Sequence, residues 1–195
     1  MYTREQIQAA VTAKSYKWFE DQLNIVSLRN SVPGSKVTNV FDDTLTLSYK
    51  LNGVWQFHEW AITTDPGTKA VKEYHNAGGV AILVPGQYIN SHTIRLHQGK
   101  YEAVCQAGIV KVYRDKNKDM VFDMNPASIE TGVFGINIHR SNPTTESMTV
   151  ENWSEGCSVF KRVKDFNEFM KICNSFKVAS GNKFTYTLLT SADVK

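Results

Sequence analysis

A histidine and a cysteine stand at a spacing that suits covalent chemistry: Gly135-Ile136-Asn137-Ile138-His139-Arg140, then Trp153-Ser154-Glu155-Gly156-Cys157. A thiol becomes a useful nucleophile when something removes its proton or lowers its pKa, and a nearby imidazole does both. Asn137 and His139 alternate with Ile136 and Ile138, so a strand here buries the isoleucines on one face and presents the imidazole on the other. Fourteen residues separate His139 from Ser154, enough for the chain to leave the strand, run through the polar stretch from Ser141 to Glu151, and return beside it. Gly156 then permits a sharp turn ahead of Cys157, where successive amide N–H groups can converge on a developing oxyanion. The competing reading makes Cys157 a small buried apolar residue and His139 a surface strand residue. The glycine and the polar side chains around the cysteine favour chemistry.

His139 followed by Ser154-x-Gly156-Cys157 resembles the active-site signature of the L,D-transpeptidase catalytic domain, the YkuD-like family. The resemblance implies a mostly β, barrel- or sandwich-like fold with added helices, and a cysteine acyl-enzyme formed with peptidoglycan stem peptides. It implies Cys157 as nucleophile and His139 as general base. It also implies that the Arg140 main-chain carbonyl orients the imidazole and that amides around Gly156 and Cys157 hold the oxyanion. The family usually has histidine where this chain has Glu155, and Arg or Asn shortly after the cysteine where this chain reads Ser158-Val159. Those departures bear on substrate binding and on transfer against hydrolysis, and leave nucleophile and base in place. The segments Thr63–Gly67, Leu83–Tyr88, His97–Tyr101 and Ile136–Arg140 are similar to a divergent group of this family from bacteriophage and gut-bacterial sequences, which tends to carry Ser-x-Gly-Cys without the usual histidine.

Three functions compete: an L,D-transpeptidase-like acyltransferase or peptidase, a phage endolysin or delivered effector that hydrolyses with the same site, and a virion or cell-surface binding module that keeps the fold without the chemistry. Candidate substrate-binding residues are Trp153, Ser154, Glu155, Asn137 and His97. Arg95 and Lys100 offer further cations to stem-peptide carboxylates, although a solvent-facing strand edge explains them as well. Glu155 either binds a substrate ammonium group or sits in solvent.

Composition narrows the classes. Hydrophobic residues make 42% and charged residues 21% of the 195, the balance of a globular chain rather than a disordered or membrane-spanning one. A net charge of +3 with no Lys/Arg run beyond two residues gives no footprint for nucleic acid. Three cysteines show no metal or redox spacing, and Cys105 and Cys173 lie on apolar faces. Five scattered histidines show no zinc pattern, and no cofactor motif is found. Met1 to Gln6 lacks the cationic and apolar regions of a signal peptide, so the sequence predicts delivery to the cell wall as a phage-associated or otherwise transported protein.

The elements that must position the pair follow from pattern. Thr3 and Gln6 form a capping box for a helix reaching about Gln22, in an N-terminal helical extension over residues 1–30, with the catalytic domain over residues 31–195. Leu45, Leu47 and Tyr49 alternate, Asn52-Gly53 marks a hairpin turn, and Val54 to Ile62 returns. Further strands are predicted near Val80–Val84, Thr93–Leu96, Tyr101–Gln106, Ile109–Tyr113, Val133–His139 and Phe184–Leu189. Val163, Phe166, Phe169, Met170, Cys173 and Phe176 recur at helical steps directly after the cysteine turn. Asp115-Lys116-Asn117-Lys118-Asp119, with Asp123 beyond, spaces oxygen ligands as calcium loops do. Met120 stands at the glycine position and Pro126 at the glutamate position, so the usual EF-hand form is excluded and a solvated hairpin loop is expected.

Overall fold

Thr3 starts the first helix as its capping pair requires: the Gln6 amide donates to its hydroxyl at 3.2 Å, and the Thr3 amide donates to the Gln6 side chain at 3.0 Å. In the computed structural model, which describes residues 1–74 and 76–195 and so leaves His75 outside the described residues, this helix, α1, spans Arg4–Ala13. It stops well before Gln22. Ser15 takes a left-handed φ of 61°, and the Lys14 and Tyr16 amides turn back onto the Val11 carbonyl. The aromatic residues after it run as irregular chain, where the Asn24 side chain clamps both main-chain groups of Phe19.

The remaining elements are β1 (Asn24–Arg29), β2 (Asp43–Leu51), β3 (Val54–Thr63), α2 (Thr68–Glu73), β4 (Val80–Leu83), β5 (Gly86–His97), β6 (Tyr101–Gln106), β7 (Val110–Asp115), β8 (Ile129–Gly132), β9 (Ile138–Arg140), β10 (Ser158–Phe160), α3 (Val163–Ser180) and β11 (Phe184–Thr190). Eight strands close into a barrel in the order β1-β11-β5-β6-β9-β10-β3-β2, and β4, β7 and β8 form a separate three-stranded sheet. The architecture is thus mostly β with three helices, as expected. The boundary drawn at residue 30 is corrected: β1 is a wall strand of the barrel, parallel to β11 and antiparallel to β2. Among the described residues no helix is long and apolar enough to cross a membrane.

Burial explains which strands the pattern hid. β1 is buried at every position, because Ile25 faces the barrel interior while Val26 and Leu28 lie under Ile7, Ala10 and Val11 of α1. A strand covered on both faces shows no alternation. α3 packs Phe166, Phe169, Met170 and Cys173 into the main core, with Phe160 and Tyr186 from the wall.

The strand expected over Val133–His139 is shorter than its pattern, running only from Ile138. Ahead of it the main chain is carried by a side chain. Gln106, fully buried, accepts from the Phe134 and Ile136 amides at 3.0 and 2.9 Å and donates to the Gly108 and Gly132 carbonyls at 2.8 and 3.0 Å. His92, also fully buried, adds a bond from Nε2 to the Ile136 carbonyl at 2.9 Å. Gln106→Leu keeps the volume but leaves the buried Ile136 amide, the part-buried Phe134 amide and two carbonyls without this partner, so the urea unfolding midpoint is expected to fall by the equivalent of about 2–4 kcal/mol.

Candidate active site

Strands β9 and β10 are parallel neighbours, with Ser158 opposite Ile138, Val159 opposite His139 and Phe160 opposite Arg140. One step back along the same register sets Cys157 beside Asn137, and the Asn137 amide donates to the Cys157 Sγ at 3.4 Å. Ile136 and Ile138 point into the core as the alternation predicted, while Asn137 and His139 line a cleft of about 360 Å³ together with Cys157, Glu155, Trp153 and His97. A second cavity of about 470 Å³ adjoins it, sharing His97, Gln98, His139, Asn152 and Trp153 and adding Lys100, Tyr101 and Arg140.

The imidazole is fixed by its neighbours. His139 Nδ1 lies 2.8 Å from the Arg140 carbonyl. A carbonyl only accepts, so Nδ1 carries the hydrogen and Nε2 keeps the lone pair of a base. The Tyr101 hydroxyl stands 3.4 Å from the same carbonyl, and the Arg140 guanidinium lies 4.1 Å from the Tyr101 ring centre. His97 stacks on His139 with ring centres 4.3 Å apart, and its Nδ1 shares a 3.2 Å hydrogen bond with the Asn137 side-chain nitrogen Nδ2. Burial holds the His139 pKa down to about 3, with the neighbouring His97 acting in the same direction. His139 is therefore buried, where the competing sequence reading placed it on the surface.

The thiol is held neutral as well. Burial pushes the Cys157 pKa up to about 11, the Asn137 amide works against that, and the Glu155 carboxylate adds to it. The Sγ donates to the Gly135 carbonyl at 3.3 Å. Both shifts run the same way, favouring a thiol and an uncharged imidazole over an ion pair formed in advance.

The Ser-x-Gly-Cys signature turns out to build the turn. The Ser154 hydroxyl donates to the Cys157 carbonyl at 2.9 Å and accepts from the Gly156 amide at 3.1 Å, and Ser154 is buried. This corrects two expectations: Ser154 closes the turn rather than facing substrate, and the Gly156 amide is already engaged. Of the two amides expected at the oxyanion, that of Cys157 makes no hydrogen bond among the described residues. Gly156 has φ +129°, and a Cβ there would sit 1.7 Å from the Ala81 carbonyl oxygen, so only glycine fits. The turn docks on β4 through an Ala81 amide bond to the Glu155 carbonyl at 3.1 Å, and on the Thr63–Gly67 segment through a Gly67 amide bond to the Ser154 carbonyl at 3.0 Å.

Sequence reasoning missed several positioning residues. Arg29 is buried at the end of β1 and donates to the Leu83 carbonyl at 2.7 Å, the Thr64 carbonyl at 3.0 Å and the Thr64 hydroxyl at 2.9 Å, with Asp65 at 3.0 Å. Asp43 accepts from the Thr64 amide and hydroxyl at 2.7 and 2.8 Å, and burial, then the Asp65 charge, raises its pKa to about 7. This knot fixes the segment on which the cysteine turn rests. Arg114 lines the cleft, paired with Glu130 at 2.9 Å and lying over Phe134. Of the cations proposed earlier, Lys100 reaches the second cavity, whereas Arg95 is bound to the Gln106 carbonyl at 2.7 Å. No signal in the sequence separated Arg29 and Arg114 from other basic residues. No family model, curated protein or solved structure matches this chain.

Cys157 is half-buried while Cys105 and Cys173 are buried, so limited iodoacetamide treatment followed by peptide mapping is expected to label Cys157 first. With a thiol pKa near 11, its labelling rate is expected to climb about tenfold per pH unit between about pH 7 and 9, without the plateau of a preformed thiolate. Glu155→Gln removes a charge that opposes ionisation, although burial is the larger cause, so the same measurement is expected to run modestly faster at each pH.

Proposed function

We propose that this protein is a peptidoglycan-acting cysteine enzyme of L,D-transpeptidase type. One observation carries the reading: Cys157 and His139 line the same cleft, with His139 Nδ1 bound to a carbonyl so that Nε2 is the proton acceptor. The reading is consistent with the neutral pair. His139 takes the thiol proton as the Sγ–carbon bond forms, which avoids a buried charge pair before substrate arrives. The oxyanion of the tetrahedral intermediate is held by the Cys157 amide, and the proton on His139 passes to the leaving amine as the carbon–nitrogen bond breaks. A thioester on Cys157 remains. In the second half, an amine or water gives its proton to His139 as it attacks the thioester, and the sulfur leaves as the thiol.

Substrate chemistry fits the charges around the two cavities. Stem peptides carry carboxylates and amines, and the cavities present Arg114, Lys100 and Arg140 on one hand and Glu155 on the other. Trp153, exposed at the boundary of both cavities, offers an apolar surface to the peptide.

Mass spectrometry of the intact protein with purified peptidoglycan fragments tests the proposal. A covalent acyl adduct on Cys157 is expected, together with cross-linked products if amine resolves it or trimmed stems if water does. Cys157→Ala is expected to form neither adduct nor product, and His139→Gln to slow adduct formation by about 10²-fold or more. A protein that binds the fragments without any adduct or product would instead be a non-catalytic module.

A further inference from the structure

The loop from Asp115 to Asp123 lies outside the cleft and takes no part in the proposed chemistry. We propose that it is a calcium site, with ligands from the Asp115, Asn117, Asp119 and Asp123 side chains and the Val121 carbonyl. The side chains stand at the first, third, fifth and ninth positions of a calcium loop, and the Val121 carbonyl at the seventh. The sequence argued against such a site because Met120 holds the place of the invariant glycine. The structure removes that objection: Met120 takes φ +65°, the left-handed backbone the glycine would supply.

The observation pointing to a cation is the Asp115 carboxylate. Asp115 ends β7, is 2% exposed, and its Oδ1 is buried with no hydrogen-bond partner among the described residues. Its Oδ2 accepts a long 3.3 Å bond from the Asp123 amide, which aims the group into the loop. Pairing of Asp115 with Val80 fixes its backbone at the edge of the loop. A buried carboxylate oxygen with no donor is costly, and a bound cation relieves the cost.

The loop centre is held by a weaker substitute. The Asn117 side-chain nitrogen donates to Asp119 at 3.0 Å and to Asp123 at 2.7 Å, so no three carboxylates converge as the loop stands. A cation takes the place of that nitrogen, and Asn117 turns its amide to present the oxygen. The Val121 carbonyl accepts no main-chain bond among the described residues and supplies the seventh-position ligand. Pro126 at the twelfth position removes the bidentate glutamate, so water completes the shell and affinity is on the order of 10⁻⁴–10⁻³ M, the range of extracellular calcium modules. Magnesium, which demands shorter and nearly octahedral bonds, fits this long flexible set poorly.

The test is independent of catalysis. The Tyr74 hydroxyl bonds the Lys116 carbonyl at 2.7 Å, so a tyrosine beside the loop can sensitise bound terbium. Tyrosine excitation is expected to give terbium emission that calcium abolishes at about millimolar concentration. The melting temperature is expected to rise by several degrees in about 10 mM calcium, to return with chelator, and to stay unmoved by equal magnesium. Asp119→Asn and, separately, Asp123→Asn should melt like the parent in chelator yet lose the calcium shift and most of the emission. Emission equal in parent and both variants, or a melting temperature indifferent to calcium, overturns the site. Equal shifts with magnesium overturn its assignment to calcium.

Discussion

The parallel pairing of β9 with β10 is the constraint from which the candidate site follows. Parallel neighbours need a long connection, and here it is the irregular stretch from Ser141 to Cys157. That stretch is tied down along its course. The Ser141 and Ser147 amides bond the Phe160 and Lys161 carbonyls, and Asn39 accepts from the Glu151 amide through its side chain and from the Val150 amide through its carbonyl. With both ends in register, the step from Val159 back to Cys157 delivers the sulfur to the cleft that His139 also lines.

A second sheet is needed to shape the turn itself. Gly156 passes so close to the Ala81 carbonyl that any side chain would collide, and Gly67 meets the Glu151 main chain as tightly, with a Cβ there 2.1 Å from its carbonyl oxygen. The cysteine loop is thus wedged between β4 and the end of β3, and the Arg29 knot anchors that end to β1 and β4. Three strands distant in sequence converge on one turn of four residues.

Much of this was legible in the sequence. Alternation found β2 and β3 with their Asn52-Gly53 turn, helical steps found α3, and the spacing of His139 and Cys157 found the pair. The hidden parts share a physical cause. β1 is covered on both faces and shows no alternation, β8 and β10 are too short to show a period, and aromatic residues continue the pattern of α1 after its hydrogen bonds have ended. The roles of Gln106 and Arg29 depend on partners far along the chain, which local pattern does not encode. A polar residue beside a nucleophile suggests substrate binding, whereas the Ser154 hydroxyl is consumed by the turn.

The raised pKa of Cys157 has a further consequence for the lifetime of the molecule. Oxidants such as peroxide attack the thiolate, and a thiol poised near 11 leaves about one molecule in ten thousand ionised at neutral pH. A low thiolate fraction slows sulfenic acid formation at this sulfur. Cys105 and Cys173, enclosed in the core, provide no second thiol at the surface for an intramolecular disulfide. Burial thus acts twice on this sulfur, disfavouring its ionisation and, through that, its oxidation.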